Sequence, residues 1–209
     1  IGIAFDGDGD RVIMVDEDGT LVDGDQLLYL IMQFYIKEGY EFGGVVGTHM
    51  TNLAFEEKCK MQSIPFARAN VGDRYVSEEL DRRKWILGGE NSGHILVKNL
   101  HSTGDGIISA LQVLSYLVKN KKSLKSALTE IQLYPQILIN IPTENKVNLK
   151  SKTVKNAIKE SEVIMKGKGR ILIRASGTQP LVRVMTEGPL RKDVLKAAKF
   201  LTEKIKEII

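Results

Sequence analysis

Three aspartates near the start of the chain form the strongest chemical pattern in the sequence. Asp6, Asp8 and Asp10 alternate with glycines, directly after the apolar run at residues 1–5. Carboxylates this close together repel one another unless a cation lies between them, and hard oxygen ligands suit Mg²⁺ or Ca²⁺. The intervening glycines allow the backbone to curl so that the three carboxylates converge on one ion. We therefore expect a divalent metal site here.

Arg11 places a positive charge directly beside the aspartates, which suits a site that also binds phosphate. Three other interpretations compete. An EF-hand loop would use Glu17 as its last ligand, but Arg11 stands where that loop needs glycine. The nucleophile loop of haloacid-dehalogenase-type phosphatases would make Asp6 the nucleophile, but it has Thr or Val in place of Asp10. A solvated acidic turn is the interpretation without function.

A second candidate loop, residues 88–94, reads GGENSGH and follows a predicted strand. Glu90 and Ser92 are two positions apart, so they face the same direction in an extended loop. A carboxylate beside a hydroxyl suits neighbouring sugar hydroxyls, although a tight turn with polar side chains fits equally well. His94 is of the type that transfers protons near neutral pH, but a lone histidine is more often structural.

A third loop, residues 174–183, reads RASGTQPLVR between two predicted strands. Guanidinium groups bind phosphate in a bidentate manner, and successive backbone N–H groups form an anion-binding nest. A β-turn with basic flanks is the simpler alternative. The loop predicts a phosphate site made by five residues: Arg174, Ser176, Gly177, Thr178 and Arg183.

Two weaker signals lie between these loops. In VGDRYV, Asp73 and Arg74 could orient a substrate, and in STGDG we expect Asp105 to cap a helix. Neither segment is specific by itself.

Composition excludes several classes of protein. The chain has 209 residues, a formal net charge of +4 and one cysteine, Cys59, so an internal disulfide is impossible and a reducing cytoplasm is expected. No apolar run is long enough to cross a membrane and no signal peptide is visible. The lysines of residues 119–125 lack interleaved aromatics, so we interpret them as a solvated helix end rather than a nucleic-acid site. Because the chain starts at Ile1 inside a predicted strand, we expect a fragment of a longer protein.

The elements that must position these loops can be outlined from periodicity. Residues 1–5 are apolar throughout, which predicts a buried strand in a helix-covered sheet. Asp18-Gly19 predicts a hairpin, and strands alternate with helices over residues 24–133, which indicates an α/β domain. After Pro135 the pattern changes to three strands and two helices, typical of a small α+β domain with an antiparallel sheet.

Taken together, the loops resemble those of the α-D-phosphohexomutase superfamily. DGDGDR, GGENSGH and RASGTQPLVRVMTEG have this order and these separations in that superfamily, and the resemblance covers the whole chain. VGDRYV and the ENSGH form of the second loop resemble the bacterial enzymes that act on glucosamine phosphates. One departure is Gln179, where the family usually has Glu before its proline.

The resemblance implies an α/β fold: a mixed-sheet α/β/α domain followed by a small α+β C-terminal domain. Residues 1–23 would be the tail of a second domain with the metal loop. Residues 24–134 would be a third domain with the sugar-binding loop, and residues 135–209 a fourth domain that binds phosphate.

The resemblance also implies roles for the candidate residues. The three aspartates would bind Mg²⁺, and Arg11 would lie near the transferring phosphoryl group. Glu90 and Ser92 would contact sugar hydroxyls. The loop at residues 174–183 would hold the phosphate that is not reacting.

The implied activity is that of an isomerase working by phosphotransfer, which interconverts glucosamine 6-phosphate and glucosamine 1-phosphate through a phosphoserine and a bisphosphate. It would supply cell-wall (peptidoglycan) amino-sugar precursors in the cytoplasm. The implied partner is a small-molecule hexosamine phosphate, with no nucleic acid and no membrane, and we expect a homodimer at full length. The superfamily's Ser-His-Asn phosphoserine loop does not occur in this sequence, so this chain should be inactive by itself. The alternatives are a phosphomannomutase/phosphoglucomutase, a non-catalytic metal-stabilised sugar-phosphate-binding module, and a phosphatase that uses Asp6.

Overall fold

The structure, a computed structural model, describes residues 1–143, 148–176 and 180–208. It divides into two compact units, Ile1–Leu133 and Tyr134–Ile209. Each unit has its own sheets and helices, and each has its own hydrophobic core. No helix among the described residues is long and apolar enough to cross a membrane.

The first unit opens with a small antiparallel sheet that carries the aspartate loop. Its strands are β1 (Gly2–Phe5), β2 (Val12–Val15) and β3 (Leu21–Val22), hydrogen-bonded in that order. The predicted Asp18-Gly19 hairpin between β2 and β3 is confirmed, and Gly19 has a φ of 81° that suits glycine. The aspartate loop is therefore the connection between β1 and β2.

The prediction of a buried first strand was wrong. All four residues of β1 are exposed, and Ile3 and Phe5 keep 39% and 45% of their surface. The reason is that β1 lies at one edge of the small sheet and pairs only with β2 among the described residues. An all-apolar run is buried only where other elements cover the strand, so the sequence pattern did not determine the burial of β1.

The main sheet of the first unit is mixed, as expected. Its order is β5-β4-β6-β7; β4 pairs in parallel with β5 and β6, and β7 runs antiparallel to β6. Its strands are β4 (Val45–Thr48), β5 (Phe66–Ala69), β6 (Leu87–Gly89) and β7 (Ile95–Val97). The helices of the unit are α1 (Gly24–Glu38), α2 (Leu53–Met61), α3 (Asp73–Arg83), α4 (Gly106–Asn120) and α5 (Leu124–Ala127).

Helix α1 forms the centre of the main core. Residues 27–32, together with Phe34 and Tyr35, are buried between α4 and the strands β2 and β6. Asp23 accepts a hydrogen bond from the backbone N–H of Gln26 and the Gln26 side chain returns one, which is a capping box. Gly39 ends the helix in the left-handed conformation. The capping box and Gly39 therefore fix the two ends of the helix.

The second unit has the expected small α+β architecture. Its antiparallel sheet has the order β8-β10-β9, and α6 and α7 pack against each other and on the sheet. The elements are β8 (Gln136–Pro142), α6 (Lys152–Ile164), β9 (Arg170–Ala175), β10 (Leu181–Glu187) and α7 (Arg191–Lys206). The phosphate-loop candidate lies between β9 and β10.

Candidate functional site

The three aspartates converge as the sequence suggested. One carboxylate oxygen from each of Asp6, Asp8 and Asp10 lies within 4.8 Å of the other two. The loop is tightened by a backbone bond from the N–H of Gly9 to the Asp6 carbonyl, at 3.3 Å. Three ionised carboxylates at this spacing supply the hard oxygen donors that Mg²⁺ prefers, so the residues fit that ion.

Arg11 lies against this cluster on one side. Its backbone N–H donates to Asp6 Oδ1 at 3.2 Å, and its Nε lies 3.7 Å from Asp6 and 3.8 Å from Asp10. Partial desolvation raises the pKa of Asp6, but the hydrogen bond from the Arg11 backbone N–H and the charge of the Arg11 guanidinium outweigh it, so the pKa of Asp6 is lowered. Asp6 is therefore held in its ionised, metal-binding form.

His94 also contacts the cluster, through Asp10. Its ring is 3% exposed, and its Nδ1 lies 3.1 Å from Asp10 Oδ2. The backbone of Arg11 forms a β-bridge with His94, and the Val12 N–H donates to the Gly93 carbonyl at 3.1 Å. The predicted metal loop and the predicted sugar loop are therefore joined by main-chain bonds.

In the GGENSGH loop, Glu90 and Ser92 differ in their surroundings. Ser92 is exposed, whereas Glu90 is only 8% exposed and accepts a hydrogen bond from the backbone N–H of Gly72 at 2.9 Å. The Gly24 N–H also donates to the Asn91 carbonyl at 3.0 Å. The loop is thus fixed by its main chain and by Glu90, and Ser92 is the side chain that it presents outward.

Asp73 and Arg74 begin helix α3, immediately after the glycine that Glu90 binds. Both side chains are exposed. Arg74 forms an ion pair along its own helix with Glu78 at 2.7 Å, while 81% of its side chain remains accessible. An exposed pair of this kind contributes little stability, so Arg74 can exchange Glu78 for an anionic ligand at small cost.

In the second unit, Arg174 and Arg183 stand directly opposite each other on β9 and β10. Like charges in this position repel unless an anion lies near them. The Arg183 Nε is buried without a hydrogen-bond partner among the described residues, and Ser176 closes the turn by donating its N–H to the Leu181 carbonyl at 2.9 Å. Gly177, Thr178 and Gln179 lie outside the described residues. The described part of this loop fits an anion site.

The contribution of the two STGDG glycines, Gly104 and Gly106, to the site was not predicted. A Cβ at Gly104 would lie 2.3 Å from His94 Nε2, and a Cβ at Gly106 would lie 2.6 Å from the Arg11 carbonyl oxygen. The Gly106 N–H donates to the Gly9 carbonyl at 2.9 Å, while Asp105 caps α4 as predicted. Two glycines flanking a helix-cap residue were the available signal, because they indicate close backbone approach.

Comparison with known proteins assigns the fold to a family. Residues 23–134 match the family described as phosphoglucomutase/phosphomannomutase, alpha/beta/alpha domain III, and residues 138–204 match the phosphoglucomutase/phosphomannomutase C-terminal domain. The chain belongs to the phosphoglucomutase/phosphomannomutase family. The resemblance that the three loops carried is thereby confirmed.

Within this family, the chain is similar to bacterial proteins named phosphoglucosamine mutase. It is 51% identical to that of Methylobacillus flagellatus over 99% of this chain and 46% of the relative. It is 48% identical to that of Proteus mirabilis over 100% of this chain and 47% of the relative. The chain therefore spans about half the length of the curated relatives that it matches.

Solved structures show the same fold at lower identity. The N-acetylphosphoglucosamine mutase of Aspergillus fumigatus, in complex with GlcNAc-6P and magnesium, has a TM-score of 0.77 and 21% identity, over 97% of this chain and 51% of that one. A putative phosphomannomutase from Thermus thermophilus has a TM-score of 0.70 and 20% identity, over 98% and 45%. At these identities the likeness establishes the fold.

Proposed function

We propose that this chain is the C-terminal part of a phosphoglucosamine mutase, an isomerase that interconverts glucosamine 6-phosphate and glucosamine 1-phosphate by phosphotransfer. The observation that carries the proposal is the aspartate cluster, converged within 4.8 Å and joined through His94 to the GGENSGH loop. The sequence identity of 51% and 48% to two proteins named phosphoglucosamine mutase, over nearly the whole of this chain, supports it.

The family domains suggest how the chain is divided. We assign residues 1–23, with the aspartate loop, to the end of a second domain, residues 24–134 to a third and residues 135–209 to a fourth. The family matches at residues 23–134 and 138–204 support the last two assignments. The reactive serine would lie in a domain outside this chain, and the cytoplasm would be the site of action.

The residues of this chain would work mainly by positioning and charge, which is what phosphoryl transfer requires. Asp6, Asp8 and Asp10 would hold Mg²⁺, which neutralises negative charge on phosphoryl oxygens when bound. Arg11 would donate to the phosphoryl group as it moves. Ser92 and the Glu90 carboxylate would fix the sugar hydroxyls.

Arg174 and Arg183 would bind the phosphate that does not react. A guanidinium pair recognises phosphate by charge and fork geometry, without reading the orientation of the attached sugar. A bisphosphate could therefore bind with either phosphate in this pocket, as the exchange between positions 1 and 6 requires.

Two measurements test the proposal. Calorimetric titration of this chain with Mg²⁺ should show binding that Asp10→Asn weakens by at least about tenfold, because a charged ligand is lost. The full-length enzyme should turn over glucosamine 6-phosphate faster than glucose 6-phosphate, as followed by phosphorus NMR. A preference for the glucose phosphate would instead favour a phosphoglucomutase, and turnover by this chain without its upstream part would refute the placement of the serine.

A further inference from the structure

The antiparallel sheet of the second unit has two different faces. Ile139, Val182 and Ile173 lie on the face toward the core that also contains residues of α6 and α7. Alternate residues of a strand point to opposite faces of its sheet, so the residues between these form the other face. The pairing registers arrange that face in three rows, each with one residue from β9, one from β10 and one from β8: Arg170, Glu187 and Gln136; Leu172, Met185 and Leu138; Arg174, Arg183 and Asn140.

The first of these rows, which we call the Glu187 row, satisfies its own charges. Glu187 is fully buried at its centre. Arg170 Nε donates to Glu187 Oε2 at 2.7 Å, and Gln136 Nε2 donates to Glu187 Oε1 at 3.1 Å. A central anion therefore accepts hydrogen bonds from a guanidinium on β9 and from an amide on β8.

The third row, which we call the Arg183 row, has the same chemistry at its two ends and lacks the acid. Arg174 is the guanidinium on β9 and Asn140 is the amide on β8, directly opposite Arg183 and exposed. The central residue is Arg183, whose Nε is buried without a hydrogen-bond partner among the described residues. The row therefore supplies donors for an anion and has no carboxylate of its own to accept from them.

We propose that Asn140 is a further ligand of the phosphate pocket. The bound phosphate takes the part that the carboxylate plays in the Glu187 row, and the Asn140 amide donates one of its two N–H groups to a phosphate oxygen. Directly opposite residues of an antiparallel pair have Cβ atoms about 5 Å apart, so the amide is near enough to share an anion with Arg183. The inference rests on the proposed function, because Arg174 and Arg183 must bind the phosphate that does not react.

Two substitutions of Asn140 should weaken phosphate binding to different degrees. Asn140→Ala removes the donor and should raise the dissociation constant at least about tenfold, since hydrogen bonds to charged groups are the stronger ones. Asn140→Asp places a carboxylate beside Arg183, where it can pair with the guanidinium as Glu187 pairs with Arg170. This variant should therefore lose more affinity than Asn140→Ala, because its own carboxylate competes with the phosphate.

The test is titration of the whole chain with inorganic phosphate, which contains the recognised group without the sugar. The amide NMR signals of Arg174 and Arg183 report binding, and circular dichroism shows that each variant is folded. Asn156→Ala and Asn156→Asp are matched controls, because Asn156 is an exposed residue of α6, and both should bind as the unsubstituted chain does. Unchanged affinity in Asn140→Ala, or equal affinities for Asn140→Asp and Asn156→Asp, would overturn the proposal.

Urea denaturation without phosphate gives a second measurement that does not depend on ligand binding. Asn140→Asp should raise the denaturation midpoint above that of Asn156→Asp, because the added carboxylate relieves the repulsion between Arg174 and Arg183. A midpoint no higher than that of the control would contradict the arrangement of the Arg183 row.

Arg174→Ala separates failure of this inference from failure of the proposed function. If the unsubstituted chain binds phosphate, Arg174→Ala does not, and the Asn140 variants bind normally, only the role of Asn140 is refuted. If phosphate leaves the signals of Arg174 and Arg183 unchanged in the unsubstituted chain, the phosphate pocket of the proposed function fails and this inference fails with it.

Discussion

At the scale of single residues, the candidate site depends on glycines that allow backbone segments to touch. A Cβ at Gly24 would lie 2.1 Å from the Glu90 carbonyl oxygen, and one at Gly93 would lie 2.1 Å from that of Val12. No side chain fits in either place. The sequence shows these glycines but cannot show which backbone each approaches, because that depends on tertiary packing.

Gly93→Ala should strongly destabilise the first unit. Gly93 has a φ of +92°, which disfavours any side chain, and the new methyl group would overlap the Val12 carbonyl. Overpacking and backbone strain together should cost about 3 kcal/mol of unfolding free energy, measurable by urea denaturation. Gly7→Ala is the matched control, since nothing lies within 4 Å of a Cβ there. A loss no larger than that of the control would contradict the proposed contact.

Cys59 should be unreactive in the folded chain. The thiol is fully buried beside the Met32 sulfur, 3.7 Å away, and burial raises its pKa to about 12, so it stays protonated at neutral pH. We expect maleimide to label it at least about a thousandfold more slowly than in urea, because labelling requires opening. Fast labelling without denaturant would show that α2 is not packed as described.

A control for the thiol measurement lies on the same helix. Met61 is 79% exposed, two positions after Cys59. The double variant Cys59→Ser with Met61→Cys should react at the rate of the unfolded chain. It shows that the protection belongs to the position and not to the chemistry of the reagent.

At the scale of elements, the helices were far more predictable than the short strands. The sequence predicts a helix at Asp73–Arg83 and a strand at Leu181–Glu187, which are the bounds of α3 and β10 in the structure. It also predicts helix caps at Thr51 or Asn52, at Asp105 and at Ser123, and the caps observed are Asn52, Asp105 and Ser123. These signals are local, so they can be read from sequence. Strand β7 was not predicted because its three residues are stabilised by pairing with β6, a contact that no local pattern encodes.

In the candidate site, too, local features could be predicted from the sequence and contacts between distant segments could not. The convergence of the three aspartates followed from their spacing, and the structure agrees with it. Two contacts could not be predicted from the spacing of residues: the hydrogen bond from the Gly72 N–H to the buried Glu90 side chain, and the close approach of Gly104 to His94. Each of them joins two separate loops. Site residues that lie together in one loop could therefore be predicted from the sequence. Contacts between residues of different loops could not.

Asp23, the N-cap of α1, should show a cap effect and a pH effect that can be separated. Asp23→Ala removes the hydrogen bond to the Gln26 N–H and should cost about 1 kcal/mol of stability, whereas Asp23→Asn keeps the acceptor. Desolvation raises the pKa of Asp23 above its ordinary value of 3.8, despite hydrogen bonds from Gln26 and Asp25. The native state therefore binds the proton more tightly than the unfolded state does.

The sign follows from this difference in proton binding. Stability falls as pH rises from the unfolded pKa through the folded one, and Asp23→Asn lacks this loss. Its stability relative to the unsubstituted chain should therefore grow as pH rises above 3.8 and level off once Asp23 is ionised in the folded state. Urea denaturation across this range measures it. A relative stability that declined with pH would reverse the sign and exclude the burial of Asp23.

At the scale of the whole molecule, the proposed metal site and the proposed phosphate site lie in different units. The aspartates, Arg11, His94 and the GGENSGH loop all belong to Ile1–Leu133, and the opposed arginines belong to Tyr134–Ile209. Each unit has its own buried core. The metal-binding and phosphate-binding functions should therefore be separable within this chain.

Amide NMR spectra of the chain titrated with two probes should show this separation. Mg²⁺ should shift signals near Asp6, Asp8 and Asp10 and near His94, because every proposed contributor to that site lies in the first unit. Glucosamine 6-phosphate should also shift signals of Arg174 and Arg183, whose paired charges attract the phosphate. Asp10→Asn should abolish the Mg²⁺ shifts and leave the arginine shifts unchanged, since the substitution removes no residue of the second unit. Loss of both sets of shifts in that variant would show that one site depends on the other, and the division of chemistry between the units would then be wrong.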